Sequence, residues 1–344
     1  MTLPAIWHSL ADVPRGLGGT AVTIGNFDGV HLGHQGVLTQ LARHAEVRGL
    51  EPVALTFHPH PRHVMTSDGT PRASNEPELI TDLDERDRLL LLTGVRGVLD
   101  LEFTLEFARA TPEEFVRDWL VEGLGMRCIV LGSDTRFGRG NAGDIHTMRE
   151  LAARYDFTVI EVEDLGADGA GGRASSSAIR EALLTGQVPQ ATRMLGRFHT
   201  VSDIVHHGHK RGRALGFPTA NLGPAPAGLV PADGVYAAYL SILEQHPSNV
   251  GGPLLTGARA TVSIGTNPTF AEPGRPAPRM VEAYVDDERD LALYGDRVRL
   301  EFVDFQRPTV RFASIDELIA QMQQDRAVTR RTLADEAGRE DEID

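Results

Sequence analysis

The sequence predicts a chain of two parts: an α/β half on a doubly wound parallel sheet, then a small antiparallel β-barrel or sandwich closed by a helix. Three observations carry this. Apolar runs alternate with helical patterns as far as about residue 185, which is the signature of strand–helix–strand units. Beyond that point the runs alternate with period two between Pro/Gly loops. The chain then closes on an amphipathic segment behind a capping box. At 344 residues it is too long for one ordinary core, and the change of character sets a boundary between 1–186 and 187–344.

In the first part, strands are expected at 21–25, 53–57, 98–102, 127–132 and 157–162. Val37, Leu38, Leu41, Ala42 and Ala45 recur on one face of a helix that follows the first of them. Thr111-Pro-Glu-Glu114 is a capping box with Pro at the first helical position, leading into Phe115 and Trp119. The glycine-rich stretch 166–173 is expected to be a flexible loop; it lacks the Gly-Lys-Ser/Thr of a Walker-type phosphate cradle. A short helix should start after Ser175-Ser-Ser177 and end at Gly186 and Pro189.

In the second part, 235–243, 258–265, 280–285 and 297–305 read as antiparallel strands. Ser314-Ile-Asp-Glu317 then caps a helix whose apolar face is Ile315, Leu318, Ile319 and Met322. Residues 335–344, with six acids and one arginine, are expected to be a solvated, frayed end.

Composition excludes several classes. With 41% hydrophobic and 24% charged residues the chain reads as an ordinary globular protein. Its net charge of −14 argues against general nucleic-acid binding, although the tail supplies −5 of that. No stretch approaches the roughly 18 apolar residues of a membrane helix, and no basic segment followed by an apolar core opens the chain. The lone cysteine, Cys128, sits in an apolar run and reads as a buried strand residue. A reducing cytoplasm is the expected compartment; no oligomeric state follows from the sequence.

The densest motif is Ile24-Gly-Asn-Phe-Asp-Gly-Val-His31-Leu-Gly-His34, between an expected strand and an expected helix. Such a junction is an anion site, because the free N–H groups and the positive dipole end of the helix face the crevice. Gly25, Gly29 and Gly33 allow close backbone approach. His31 and His34, three apart, add donors on one side. The site suits a triphosphate.

The string 25–34 closely resembles the signature of the nucleotidyltransferase half of bacterial bifunctional riboflavin kinase/FMN adenylyltransferases (FAD synthetases). Phe57-His-Pro-His60-Pro61, Gly132-Ser-Asp134-Thr-Arg-Phe137-Gly138, Ser175-Ser176-Ser177-Ala-Ile-Arg180 and Glu85-Arg-Asp-Arg resemble further segments of that family. The resemblance implies a Rossmann-like nucleotidyltransferase domain. His31, His34 and Arg180 would act in catalysis there. Gly25, Asn26, Phe27, Asp28, Gly29, His60, Asp134, Ser176 and Ser177 would line ATP and flavin. Thr135 stands where the family usually has Phe, and Ser177 where it has Thr. Adenylyl transfer needs no covalent nucleophile, only two aligned anions and stabilisation of the charge that builds up between them.

A second dense motif is His207-Gly208-His-Lys210-Arg211-Gly212-Arg-Ala-Leu-Gly216-Phe217-Pro218-Thr219-Ala-Asn221. In extended chain residues i and i+2 face the same way, so Thr219 and Asn221 present two oxygens to one point. Magnesium prefers oxygen and bridges phosphates. In 280–285 the same alternation puts Val281, Ala283 and Val285 on one face and Glu282 with Tyr284 on the other.

This second set resembles the riboflavin kinase half of the same family, a small antiparallel barrel. The resemblance implies that Thr219 and Asn221 hold Mg2+, that Glu282 is the general base, and that Gly208, Lys210, Arg211, Gly212, Gly216, Phe217, Pro218, Asn267, Arg279 and Arg307 bind ATP and flavin. Gln306 departs from the usual Leu beside Arg307. Riboflavin, FMN, FAD and ATP are the implied partners, with ATP as co-substrate.

Two rivals are weighed. Other H-x-G-H adenylyltransferases, and a fragment of a class I aminoacyl-tRNA synthetase, do not account for 218–221, and no Lys-Met-Ser-Lys-Ser-like loop follows. The alternative within the family is an adenylyltransferase with a flavin-binding, non-catalytic second half.

Overall fold

The computed structural model describes residues 4–65, 79–162, 174–207, 217–252, 254–266, 279–286, 291 and 293–340. Contacts divide the chain into two compact units, Met1–Ser176 and Ser177–Asp344.

In the first unit β1 (Ala5–Trp7), β2 (Thr20–Ile24), β3 (Glu51–His58), β4 (Gly97–Glu102), β5 (Met126–Gly132) and β6 (Thr158–Val162) form one sheet. Its order is β1-β4-β3-β2-β5-β6, and every pair is parallel. Helices α1 (Leu32–Arg48), α2 (Pro61–Val64), α3 (Leu83–Leu92), α4 (Pro112–Glu114) and α5 (Ile145–Tyr155) fill the connections, with α4 continuing as a π-helix over Phe115–Gly123.

Period-two alternation sorts the strand residues onto two buried faces. Val22, Val53, Leu55, Leu99, Ile129 and Leu131 pack with Phe115, Leu120, Met148 and Leu151. Ala21, Ala54, Val98, Cys128 and Val130 pack with Leu38, Leu41, Ala45, Leu89 and Leu90. Cys128 is therefore the buried strand residue expected, and burial pushes its thiol pKa up.

All five strands expected here are present, and the capping box at Thr111 closes in both directions. The three-residue edge strand β1 had no period long enough to announce it. From β2 the strand order steps one way to β3 and β4 and the other way to β5 and β6. The crevice at that reversal, beyond the carboxyl ends of β2 and β5, is where such sheets take ligands.

The second unit holds α6 (Ser176–Leu184), α7 (Val188–Leu195), β7 (His199–His206), β8 (Thr219–Leu222), β9 (Gly234–Glu244), β10 (Ala258–Thr266), β11 (Arg279–Val285), β12 (Arg297–Arg307) and α8 (Ile315–Glu340). The strands close into a barrel in the order β10-β11-β8-β7-β12-β9, all antiparallel. Its interior is the inward set Val201, Ala220, Tyr236, Leu240, Val262, Ala283, Leu300, Phe302 and their neighbours.

Three expectations change. Pro189 does not end a helix: it lies in the first turn of α7, where its missing N–H costs nothing. Against the expected boundary at 186/187, most of α6 goes with the barrel unit, where Leu183 O accepts the Ala232 amide at 2.9 Å. The acidic tail does not fray at 335, since α8 runs on to Glu340. Ser314 caps this helix through the Glu317 amide at 3.2 Å. The expected loop 166–173 lies outside the described residues, as do 341–344.

Candidate active sites

In the first unit the loop from Gly25 to His31 links β2 to α1. It is tightly coiled: Phe27 (φ 50°) and Val30 (φ 39°) take the left-handed region that side chains avoid, as does Gly29 (φ 85°). The loop keeps this shape through a set of hydrogen bonds. Gly25 N donates to Leu55 O at 3.1 Å and Val30 N to Phe27 O at 2.9 Å. Gln35 Nε2 donates to Val30 O at 2.8 Å and Thr56 Oγ1 to Asn26 O at 3.4 Å. Gln35 and Thr56 escaped the sequence reading because neither belongs to a motif.

A Cβ on Gly25 would lie 2.8 Å from the Phe27 ring. That ring is buried and meets His34 edge-on, with centroids 5.3 Å apart. Asp28 is also buried; its Oδ1 accepts from Ile80 N at 2.9 Å and Thr81 N at 3.5 Å, which holds the approach to α3.

The two imidazoles do meet. Their rings stack with centroids 3.6 Å apart. His31 caps α1, its Nδ1 accepting the His34 amide at 3.4 Å. Nδ1 therefore lacks a proton and, in the neutral ring, Nε2 carries it as a donor. His34 Nδ1 is buried with no hydrogen-bond partner among the described residues. Burial, with His31 beside it, holds the His34 imidazole well below its usual range, so it stays neutral near pH 7.

The chain entering α6 reaches the same loop. Ser176 Oγ donates to Asp28 O at 2.8 Å, and Ala174 O lies 3.6 Å from where a Cβ on Gly33 would sit. Ser177 is exposed, and Arg180 follows one turn later, half-buried. His60 is buried and caps α2 through the Arg62 amide at 3.1 Å. Asp134, exposed, lies just past β5 at the other lip of the crevice, where Thr135 N closes a turn on Gly132 O at 3.1 Å.

In the barrel unit, β8 and β11 pair so that Glu282 stands opposite Asn221 and Tyr284 opposite Thr219. Ala220, Val281, Ala283 and Val285 point into the core, so the four polar residues share the outer face. Asn221 Nδ2 donates to Thr219 O at 3.2 Å and lies 3.4 Å from Thr219 Oγ1. Phe217 packs on Tyr284 at 5.2 Å, and Arg326 of α8 lies over the same ring at 5.7 Å.

Other expected residues are placed elsewhere or beyond view. Arg279 reaches Asp233 at 2.7 Å and the carbonyls of Val230 and Pro231, bracing that loop. Arg307 makes a two-pronged pair with Asp325 of α8 at 2.8 and 2.6 Å. Gln306, the departure beside it, donates to Thr329 of α8 at 2.6 Å, a contact a leucine could not make. Pro218 is exposed at the entry to β8. Gly208, Lys210, Arg211, Gly212, Gly216 and Asn267 lie outside the described residues.

An α/β sheet with an imidazole-capped helix at its reversal point, followed along the chain by a β-barrel, is an architecture suited to a nucleotide-using transferase, and the families it matches give that class. The family model for FAD synthetase matches residues 14–178, and that for riboflavin kinase matches 195–333. The chain belongs to the bifunctional riboflavin kinase/FMN adenylyltransferase family. The family's Escherichia coli K12 member is 33% identical over 94% of this chain and 95% of its own length. The Bacillus subtilis member is 33% identical over 89% and 90%. A solved structure described as a macrolide-efflux protein from Streptococcus pneumoniae superposes with a TM-score of 0.79 at 28% identity, over 95% of this chain and 98% of that one. No helix among the described residues here is long and apolar enough to cross a membrane.

Proposed function

We propose that the chain makes flavin cofactors in two steps: ATP-dependent phosphorylation of riboflavin to FMN, then adenylylation of FMN to FAD with release of pyrophosphate. The observation that carries this is the match of both halves, in order, to the two enzyme families, with whole-length relatives named for both activities. That match also favours two catalytic halves over an adenylyltransferase with a merely flavin-binding barrel.

In the first step the ribityl hydroxyl attacks the γ-phosphorus of ATP, ADP leaves, and Glu282 takes the hydroxyl proton. The facing of Glu282 and Asn221 across β8–β11 supports this assignment. Thr219 and Asn221 each carry a side-chain oxygen on the face they share with the Glu282 carboxylate, a set that suits a hard cation, and these residues would hold Mg2+. Bound there, the ion would supply charge neutralisation at the ATP phosphates. Phe217 and Tyr284 pack together beside it, and Arg307, which is held by Asp325 at the end of β12, would meet the flavin or nucleotide only by exchanging that partner.

In the second step an FMN phosphate oxygen attacks the α-phosphorus of ATP and the bond to pyrophosphate breaks. The α1 dipole and the imidazoles of His31 and His34 would meet the charge that develops, with Ser176, Ser177, Arg180 and His60 around the phosphates. Gly25–Gly29 would admit the phosphates close to backbone, and Asp134 would border the flavin. A reducing cytoplasm suits the single buried thiol. The net charge of −14 argues against nucleic acid as a partner.

The test is to incubate the protein with riboflavin, ATP and Mg2+ and separate the flavins. FMN followed by FAD is expected. No conversion would leave only a binding protein; FMN without FAD would mean that the first unit lacks the second activity.

A further inference from the structure

The two reactions proposed above assign no role to the side chains of His8, His58 or Asp100, yet the sheet brings them together. Each comes from one of three adjacent strands. His8 follows the last residue of β1, Asp100 lies in β4, and His58 ends β3. Trp7 pairs with Leu99 and Thr56 with Asp100, so the register sets His8 beside Asp100 and His58 one pleat further on the same face. One ligand atom from each lies within 4.8 Å of the others. The two rings meet edge-on at 5.9 Å. We propose that these three residues bind one divalent transition cation of the Zn2+ type at the carboxyl edge of the sheet.

Four features carry the assignment. Two imidazoles and a carboxylate form a donor set for Zn2+ rather than for Mg2+, which prefers oxygen alone. His58 Nδ1 is buried 3.1 Å from Asp100 Oδ2 without an aligned hydrogen bond among the described residues. That spacing is close to the roughly 3.4 Å between neighbouring ligands of a tetrahedral zinc with bonds of about 2.1 Å. The other oxygen, Asp100 Oδ1, lies 2.7 Å from Arg86 Nη2, an outer partner that orients a ligating carboxylate. Asp87, bonded to Arg86 at 2.9 Å, brings a second carboxylate to offset the guanidinium beside a cation.

His8 separates a metal site from a plain charge network. Arg86 reaches Asp100 and Asp87 without any histidine, whereas exposed His8 adds a third ligand atom that this ion pairing does not need. A bound cation would staple the three-residue edge strand β1 to β3 and β4, at the root of the segment that carries His60.

The test uses the full, metal-free chain. Co2+ alone is titrated while the visible ligand-field absorption is followed, and bound Zn2+ is counted by equilibrium dialysis. One equivalent is expected, with affinity falling at least about tenfold in His8→Ala and in His58→Gln. Zn2+ should raise the thermal midpoint of the natural protein and not that of His8→Ala. Because His8 is exposed, its loss leaves the fold intact, which circular dichroism checks. No bound equivalent, or an equal affinity and thermal shift in both proteins, overturns the proposal.

Discussion

At the scale of single residues, protonation separates the two reactions. Glu282→Gln keeps the shape of the β11 face but removes the proton acceptor. FMN formation should then fall by about 10²–10⁴-fold while FAD synthesis from supplied FMN stays near normal, as read by the two assays run separately. His31→Ala with His34→Ala should give the reverse; normal FAD synthesis in that double variant would remove the imidazoles from the mechanism. Both His34 and His199 are held neutral by burial, His199 down at about 4 while it bonds Leu229 O at 2.7 Å. The unfolded chain, with imidazoles near 6.5, binds more protons below that pH than the folded one. Stability from these rings is therefore full above about pH 6.5 and falls as the pH drops below it, by about 1.4 kcal/mol per pH unit for a ring still neutral in the folded chain, in the case of His199 down to about 4. Urea unfolding across this range should show the slope, and His199→Gln should lessen it by one ring's share.

At the scale of elements, α8 completes the barrel. Its Asp325 holds Arg307, its Thr329 meets Gln306 and Thr261, and its Arg326 and Arg330 both pair with Asp286 just past β11. The helix thus joins β10, β11 and β12 by polar contacts as well as by Leu333 against Ala237 and Val303. Asp325→Asn would leave the Arg307 guanidinium with a neutral partner, at about 1–3 kcal/mol of stability. A lower denaturation midpoint and slower FMN formation, with FAD synthesis from FMN retained, are the expected outcomes.

At the scale of the molecule, the proposed two-step reaction calls for one nucleotide in each unit. Titration with a non-hydrolysable ATP analogue and Mg2+ should saturate at two molecules per chain. Chelating the Mg2+ should stop FMN formation. In a time course from riboflavin, FAD should lag behind FMN, because the product of one unit is the substrate of the other.

Local chemistry is what the sequence could announce. The turn at 25–34 and its two imidazoles lie within a few residues of each other, and period two alone put Thr219 with Asn221 and Glu282 with Tyr284; that His31 accepts the His34 amide as a cap only the structure showed. The longer strands and the capping signals at Thr111 and Ser314 were legible for the same reason. Which strands become neighbours depends on packing between segments far apart in the chain, and no local pattern encodes it. The Glu282–Asn221 facing spans 61 residues, Gln306 finds Thr329 only because α8 folds back on the barrel, and His8, His58 and Asp100 meet only once β1, β4 and β3 lie side by side. Spacing along the chain settled the kinds of elements and the motifs they carry; closure of the sheet and the barrel decided which side chains share a site.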